Sequence, residues 1–271
     1  MIEMDHEYWL KLCQDIGKEV FTEVKKYSDK EERKKILRIG FSGDKTSFLD
    51  DLAEKMILNH FKSTGKSFEF VSEEIGRVTV GNKPEVMIVV DPLDGSNNAF
   101  FGIPIYSTSI SIGDLSGKIE GIEVGYIKNL VSGDDYYAVK GKGAFKNGKR
   151  IHVSEERRRC FLIDIASFDR KGNFDRIVKL GEKSKSIRMF GSGCLSMCFF
   201  AEGVADACIG LGGRRTLDAT ASQLIVREAG GLIKDLEGKD LTEYKVDFNM
   251  NVNYVAAPNE EIYSEVVSLL S

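Results

Sequence analysis

No stretch of the 271-residue chain is an unbroken apolar run of bilayer-spanning length, and the amino end is acidic and interrupted by charges. Neither a membrane span nor a signal peptide is therefore expected. Paired cysteine spacings are missing as well. Cys13, Cys160, Cys194, Cys198 and Cys208 have no histidine-supported pattern, and they read as buried small hydrophobes rather than metal ligands. Cys194 and Cys198, four apart, share one face of a helix, and this usage fits a reducing cytoplasm. A basic excess is also lacking. The formal net charge is −4, which argues against a nucleic acid polymer as partner but not against small phosphorylated molecules. The three histidines, His6, His60 and His152, fall outside every motif and read as ordinary surface or core residues. No linker rich in proline or glycine divides the chain, so a boundary between residues 1–155 and 156–271 is soft. With 42% hydrophobic and 30% charged residues, what remains is an ordinary globular composition.

The stretch that organises the rest is Val86–Phe100. Val86 to Val90 is apolar throughout, as in a strand buried on both faces, and Asp91-Pro92 is expected to end it, because proline has no N–H for a neighbouring strand. Asp94 follows three residues after Asp91, so a tight turn can aim both carboxylates at one point. Two anionic oxygens with the intervening Leu93 carbonyl are hard ligands for a hard cation such as Mg²⁺. Gly95-Ser96-Asn97 permits close backbone approach, and its N–H groups can cradle a phosphate. Asp-Pro and Asp-Gly are equally plain turn signals. Further acids stand at the ends of other regular segments: Glu73 and Glu74 after Phe70-Val-Ser, and Asp218 before an Ala-rich helical stretch. Together they suggest a carboxylate cage.

Along the chain, Tyr8, Leu12, Ile16, Val20 and Val24 recur at helical spacing and predict a long amphipathic helix running toward Tyr27. Ile39 to Thr46 is polar and broken by glycine, a loop by composition. A second helix follows, with Thr46 or Ser47 as N-cap and Asp50 and Asp51 favoured in its first turn. Ile105–Ile112 alternates like a half-buried strand, and further strands are expected over Lys118–Ile127 and Asp135–Val139. Asn147-Gly148 is a hairpin turn signal. In the second half, strands at Phe161–Ala166, Ser186–Phe190, Ala205–Ile209, Leu232–Lys234 and Tyr254–Ala256 alternate with helices at Phe174–Leu180, Leu195–Ala201, Thr220–Ala229 and Ile262–Leu270. Gly191-Ser-Gly193 opens one of those helices in the manner of an anion site, although the full dinucleotide glycine pattern is absent. The first half thus reads as α+β and the second as α/β.

Taken jointly, Glu73-Glu74, Asp91-Pro-Leu-Asp-Gly-Ser96, Leu217-Asp-Ala-Thr-Ala221 and Glu228-Ala-Gly-Gly231 resemble the Mg²⁺-dependent, lithium-sensitive phosphatases, which include inositol monophosphatase and the archaeal fructose-1,6-bisphosphatases. Ser at position 96 and the Ser42–Thr46 loop look most like the archaeal branch. The resemblance covers nearly the whole chain. It implies a layered α-β-α-β-α sandwich of the sugar phosphatase type, with the site between the halves.

The resemblance further implies two or three Mg²⁺ ions per site. One would be held by Glu73, Asp91 and the Leu93 carbonyl, another by Asp91, Asp94 and Asp218, and a third near Glu73 with help from Asp44. Ser96 and Asp50 would activate the attacking water, Asp44 and Thr46 would lie in a mobile catalytic loop, and the Gly95-Ser96 backbone would bind phosphate. Asp94 and Ser192 would contact substrate. Arg188, Arg214 and Arg215 stand near the site in sequence, and their guanidinium groups suit a second phosphate, with surface ion pairs an equal reading and the resemblance favouring Arg215. Leu211 and Leu217 depart from the Glu and Trp of animal inositol monophosphatases, which weakens an inositol-only assignment. The implied substrates are fructose 1,6-bisphosphate and inositol 1-phosphate, in the carbohydrate metabolism of gluconeogenesis. The implied protein is a cytoplasmic, lithium-inhibited homodimer. Rival readings are a 3′-phosphoadenosine or NADP phosphatase and, from another class, a non-catalytic phosphate or metal sensor.

Overall fold

The computed structural model describes residues 4–165 and 172–271. Helix α1 (His6–Lys25) forms on a three- and four-residue apolar repeat, and Asp5 caps it by accepting the Tyr8 N–H at 3.0 Å. Its buried stripe is Trp9, Cys13, Ile16, Val20 and Val24. Of the residues expected in the stripe, Tyr8 is exposed and Leu12 half-buried, because the helix turns Trp9 and Cys13 toward the sheet in their place. The segment expected to be a loop over Ile39–Thr46 contains strand ends. Strand β1 (Ile36–Ile39) pairs antiparallel with β2 (Lys45–Ser47), and only the residues between them form the turn. Helix α2 (Phe48–Ser63) then starts at a capping box between Ser47 and Asp50.

Strands β3 (Phe68–Ser72), β4 (Gly76–Val80) and β5 (Val86–Asp94), the short helix α3 (Ser96–Phe101), and strands β6 (Ser107–Gly113) and β7 (Ile122–Asn129) follow. Strands β8 (Asp135–Val139), β9 (Gly143–Lys146) and β10 (Lys149–Arg150) complete this half. The second half comprises β11 (Cys160–Ile165), α4 (Asn173–Lys183), β12 (Ser186–Arg188), α5 (Gly193–Ala201) and β13 (Ala207–Arg215). It ends with α6 (Thr220–Glu228), β14 (Leu232–Asp235), β15 (Asn251–Ala257) and α7 (Glu260–Leu270). The expected strand end at Ala166 lies outside the described residues.

Two sheets result. The first has eight strands in the order β10-β9-β8-β7-β6-β5-β3-β4, antiparallel except that β3 runs parallel to β5. The second has five, β12-β11-β13-β15-β14, with β12, β11 and β13 parallel. Helices α1 and α2 pack on the outer face of the first sheet, α5 and α6 lie between the sheets, and α4 and α7 cover the second. The layers are therefore α-β-α-β-α, with one apolar cluster under each outer helix layer and a third that runs from sheet to sheet through α5 and α6.

Two strands differ from expectation in ways that shape the site. Strand β5 does not stop at Asp91-Pro92. Its pairing to β6 lapses after Asp91↔Ser109 and resumes at Asp94↔Ser107, so the missing proline N–H falls in an irregularity and all nine residues are buried. Strand β6 is buried on both faces, not half-buried. Its hydroxyl face lies under the central helices and is satisfied there: Ser111 Oγ donates to Thr220 Oγ1 at 2.8 Å and Ser107 Oγ to Asp94 at 3.1 Å. Burial of Met87, Ile88 and Val90 contributes about 1.5–3 kcal/mol each. That anchors the strand whose end carries the acids.

Candidate active site

The parallel pairing of β3 and β5 puts their carboxyl ends at the same end of the sheet, and with them Glu73-Glu74 and Asp91–Asp94. The far end of β13 delivers Arg214 and Arg215, the loop after it delivers Asp218, and the N-terminus of α5 closes the group. Glu73, Asp91 and Asp94 are all buried.

Asp94 answers the anion signal of Gly191-Ser-Gly193. The Gly193 and Cys194 N–H groups donate to its carboxylate at 3.0 and 3.1 Å, and Ser192 Oγ and Ser107 Oγ add hydroxyl donors. The anion at this helix N-terminus is thus the protein's own carboxylate. Ser192, the helix cap, is oriented onto Asp94.

Asp50 and Ser96 meet from opposite elements. Asp50 Oδ2 is held by the Ser47 N–H at 2.9 Å and by Ser47 Oγ, which leaves Oδ1 to face Ser96 Oγ at 2.9 Å. Ser96 Oγ also lies 2.8 Å from the Leu93 carbonyl, so its one proton has two acceptors. Gly95 adopts φ +88°, and an added Cβ would meet the Ile105 and Gly191 carbonyl oxygens at 3.0 and 3.2 Å. Only glycine fits that turn. Helix α3 begins after it with no side-chain cap on its first N–H groups.

The β1–β2 hairpin is tied to the acids. The Phe41 and Ser42 N–H groups donate to the Glu74 and Glu73 carbonyls at 3.1 and 3.0 Å, and Thr46 Oγ1 donates to the Glu74 carboxylate. Gly40 makes this possible, since a Cβ there would sit 2.5 Å from Glu74 Oε2. Asp44, at the exposed turn, reaches Arg215 at 3.2 Å. Arg215 also donates to Asp218 Oδ2 at 3.2 Å and to Glu73 Oε2, bridging hairpin, β3 and the loop after β13.

Burial and mutual repulsion disturb these acids. Burial, then the Asp218 charge, pushes Glu73 up to about 8 against the pull of Arg215. Burial raises Glu74 to about 7, Thr46 opposing, and Asp94 to about 6, Ser192 opposing. Asp91 lies well above the carboxylate range through burial and the Glu73, Asp94 and Asp218 charges, and burial also raises Asp50. So many buried like charges call for a cation. The donor set fits a hard divalent ion, and Asp218 Oδ1 is buried with no hydrogen-bond partner among the described residues.

Arg188 is not brought to this group. It is exposed and donates to the neighbouring Ile187 carbonyl, because the short strand β12 lies at the edge of the second sheet. Sequence reasoning missed Asp164, which holds Arg214 Nε at 2.7 Å beside the site. An aspartate inside an apolar strand was the available signal, since it must be paired. It also missed that Cys194 Sγ lies with Asp91 and Asp94, their ligand atoms all within 4.8 Å of one another. Leu211 is wholly buried in β13, in the apolar cluster of the second sheet.

The inositol monophosphatase family model matches residues 6–271. A fructose-1,6-bisphosphatase/inositol-1-monophosphatase of Archaeoglobus fulgidus is 34% identical over 98% of this chain and 100% of its own. A bifunctional NADP phosphatase/NAD kinase of Methanococcus maripaludis is 31% identical over 96% of this chain but only 49% of its own. The solved structure of an inositol monophosphatase–fructose 1,6-bisphosphatase, 29% identical, superposes with a TM-score of 0.84 over 96% of this chain and 99% of that one. With the carboxylates gathered at the ends of β3 and β5 and the layered fold, these matches place the chain in the inositol monophosphatase family: it is a phosphatase.

Proposed function

We propose that the protein hydrolyses phosphate monoesters of sugars and polyols, with fructose 1,6-bisphosphate and inositol 1-phosphate as substrates and Mg²⁺ as cofactor. The observation that carries this reading is the convergence of Glu73, Asp91, Asp94 and Asp218 beside the Ser96–Asp50 pair. Glu73, Asp91, the Leu93 carbonyl, Asp94 and Asp218 would hold two or three Mg²⁺ ions. When bound, those ions neutralise phosphate charge and polarise the attacking water and the leaving oxygen.

The chain's own groups do the rest. Ser96 Oγ takes a proton from the attacking water while its own proton passes to Asp50 Oδ1, whose buried carboxylate is the more basic for its environment. The Gly95–Ser96 N–H groups bind the transferred phosphate. Asp94, fixed by Ser192 and the α5 N-terminus, orients the substrate hydroxyls, and Arg215 grips a second phosphate. Asp44 and Thr46 carry the hairpin over the site. An intact set of Asp50, Ser96 and the acids speaks against a non-catalytic sensor.

A cytoplasmic, lithium-inhibited homodimer working in gluconeogenesis belongs to the same proposal. So does a division near residue 155, supported by the two sheets ending and beginning at Arg150 and Cys160. The Methanococcus maripaludis relative favours one second reading, an NADP phosphatase. Phosphate release with Mg²⁺ from fructose 1,6-bisphosphate, inositol 1-phosphate and NADP, compared side by side, tests both. Turnover of the first two supports the sugar phosphatase, and turnover of NADP alone overturns it in favour of the nucleotide reading.

A further inference from the structure

A cavity of about 290 Å³ opens at the other end of the second sheet, lined by Arg157, Arg159, Phe161, Lys183, Asp206, Ile262, Glu265 and Val266. None of these residues belongs to the carboxylate site. Strands β11 and β13 are parallel, and the cavity lies where they begin, whereas Asp164 and Arg214 lie toward their far ends. Its volume approaches that of small-ligand pockets.

The lining is divided by chemistry. Phe161, Ile262 and Val266 supply an apolar floor, and three basic residues outnumber two acidic ones. Both acids are already engaged. Asp206 accepts the Arg158 and Arg159 N–H groups at 3.0 and 2.7 Å, and Glu265 accepts from Arg157 at 2.6 Å. The side chains of Arg159 and Lys183 have no hydrogen-bond or ion-pair partner among the described residues.

Arg159 is also held in an unusual backbone state. Its φ is +54°, a left-handed conformation that a long L side chain rarely adopts. Asp206 fixes its N–H, and the Lys185 N–H fixes its carbonyl at 2.8 Å. A conformation so over-determined, at a cavity wall, with a free guanidinium, is the pattern of a ligand clamp.

We propose that this cavity is a second, non-catalytic anion site, taking a small phosphorylated molecule with an apolar body. The phosphate meets Arg159 and Lys183, and the body rests on Phe161, Ile262 and Val266.

The test is calorimetric titration of the full chain with phenylphosphonate, which has no ester bond to hydrolyse, in EDTA, where the carboxylate cluster repels anions. Saturable binding at one site is expected. Arg159→Gly removes the guanidinium and relieves the backbone, so affinity falls about tenfold or more while the Tm holds or rises. Lys183→Ala weakens binding similarly, and Arg215→Ala leaves it unchanged. Inorganic phosphate binds more weakly than phenylphosphonate. No saturable heat up to about 10 mM, or full affinity in Arg159→Gly, overturns the site. Loss of binding in Arg215→Ala overturns it in favour of the carboxylate site, and equal affinity for inorganic phosphate overturns the apolar half of the assignment.

Discussion

Ser96 Oγ lies 2.9 Å from Asp50 Oδ1, and the two residues reach that contact from the first turns of two different helices, α3 and α2. Asp50 serves twice. One carboxylate oxygen closes the capping box of α2, and the other faces Ser96. The fold fixes a base by using the same side chain as a cap.

That double use separates two substitutions. Ser96→Ala is expected to lower kcat about 10²–10⁴-fold with little change in Tm, because Ser96 is half-buried and caps nothing. Asp50→Asn should lower kcat similarly and also cost about 0.5–2 kcal/mol of stability through the weakened cap. Thermal unfolding of both variants, run beside steady-state kinetics, checks the split. An unchanged kcat in Ser96→Ala would count against the proton path.

The raised carboxylates make a prediction about pH. Glu73 stands at about 8 in the fold against an ordinary value of 4.5, so the fold favours its protonated form. Its stabilising contribution is therefore complete below about 4.5 and is lost as pH rises toward 8. Glu74 at about 7 and Asp94 at about 6 act with the same sign. In EDTA the Tm should fall between pH 4.5 and 8, and saturating Mg²⁺ should suppress or reverse the fall. A Tm that rises over this window without a cation would contradict it.

Arg215 spans Asp44, Glu73 and Asp218. Arg215→Ala should lower the Tm in EDTA, since the acids lose a counter-charge, and lower it less in Mg²⁺. The same variant should raise KM for fructose 1,6-bisphosphate about 10- to 100-fold, by loss of a charged hydrogen bond to the second phosphate, and change KM for inositol 1-phosphate less. Equal effects on both substrates would remove Arg215 from the second-phosphate role.

Much of this arrangement was legible in the residues. Apolar runs that lead into acids marked Glu73 just past β3 and Asp91 and Asp94 toward the end of β5, though the strand runs on through Asp91 to Asp94. The Asn147-Gly148 turn joins β9 and β10 with both residues at positive φ. What escaped depends on partners distant in the chain. The Ser and Thr alternation of β6 looked solvent-facing because its hydroxyl partners, Asp94 and Thr220, lie on other elements. Glycine spacing marked an anion site before α5 but not that Asp94 fills it. The Asp164–Arg214 pair joins neighbouring strands whose pairing no local pattern states, and Arg188 looked near the site only in sequence.

Phosphate release from inositol 1-phosphate by wild type and Asp91→Asn, each in Mg²⁺ and in EDTA, tests the central claim most directly. Asp91 is buried among the acids at the end of β5, where asparagine keeps the shape and removes the charge. The expected result is Mg²⁺-dependent release by wild type, abolished by EDTA, and none from a folded Asp91→Asn. Undiminished release by Asp91→Asn, or by wild type in EDTA, would contradict a carboxylate-held Mg²⁺ site.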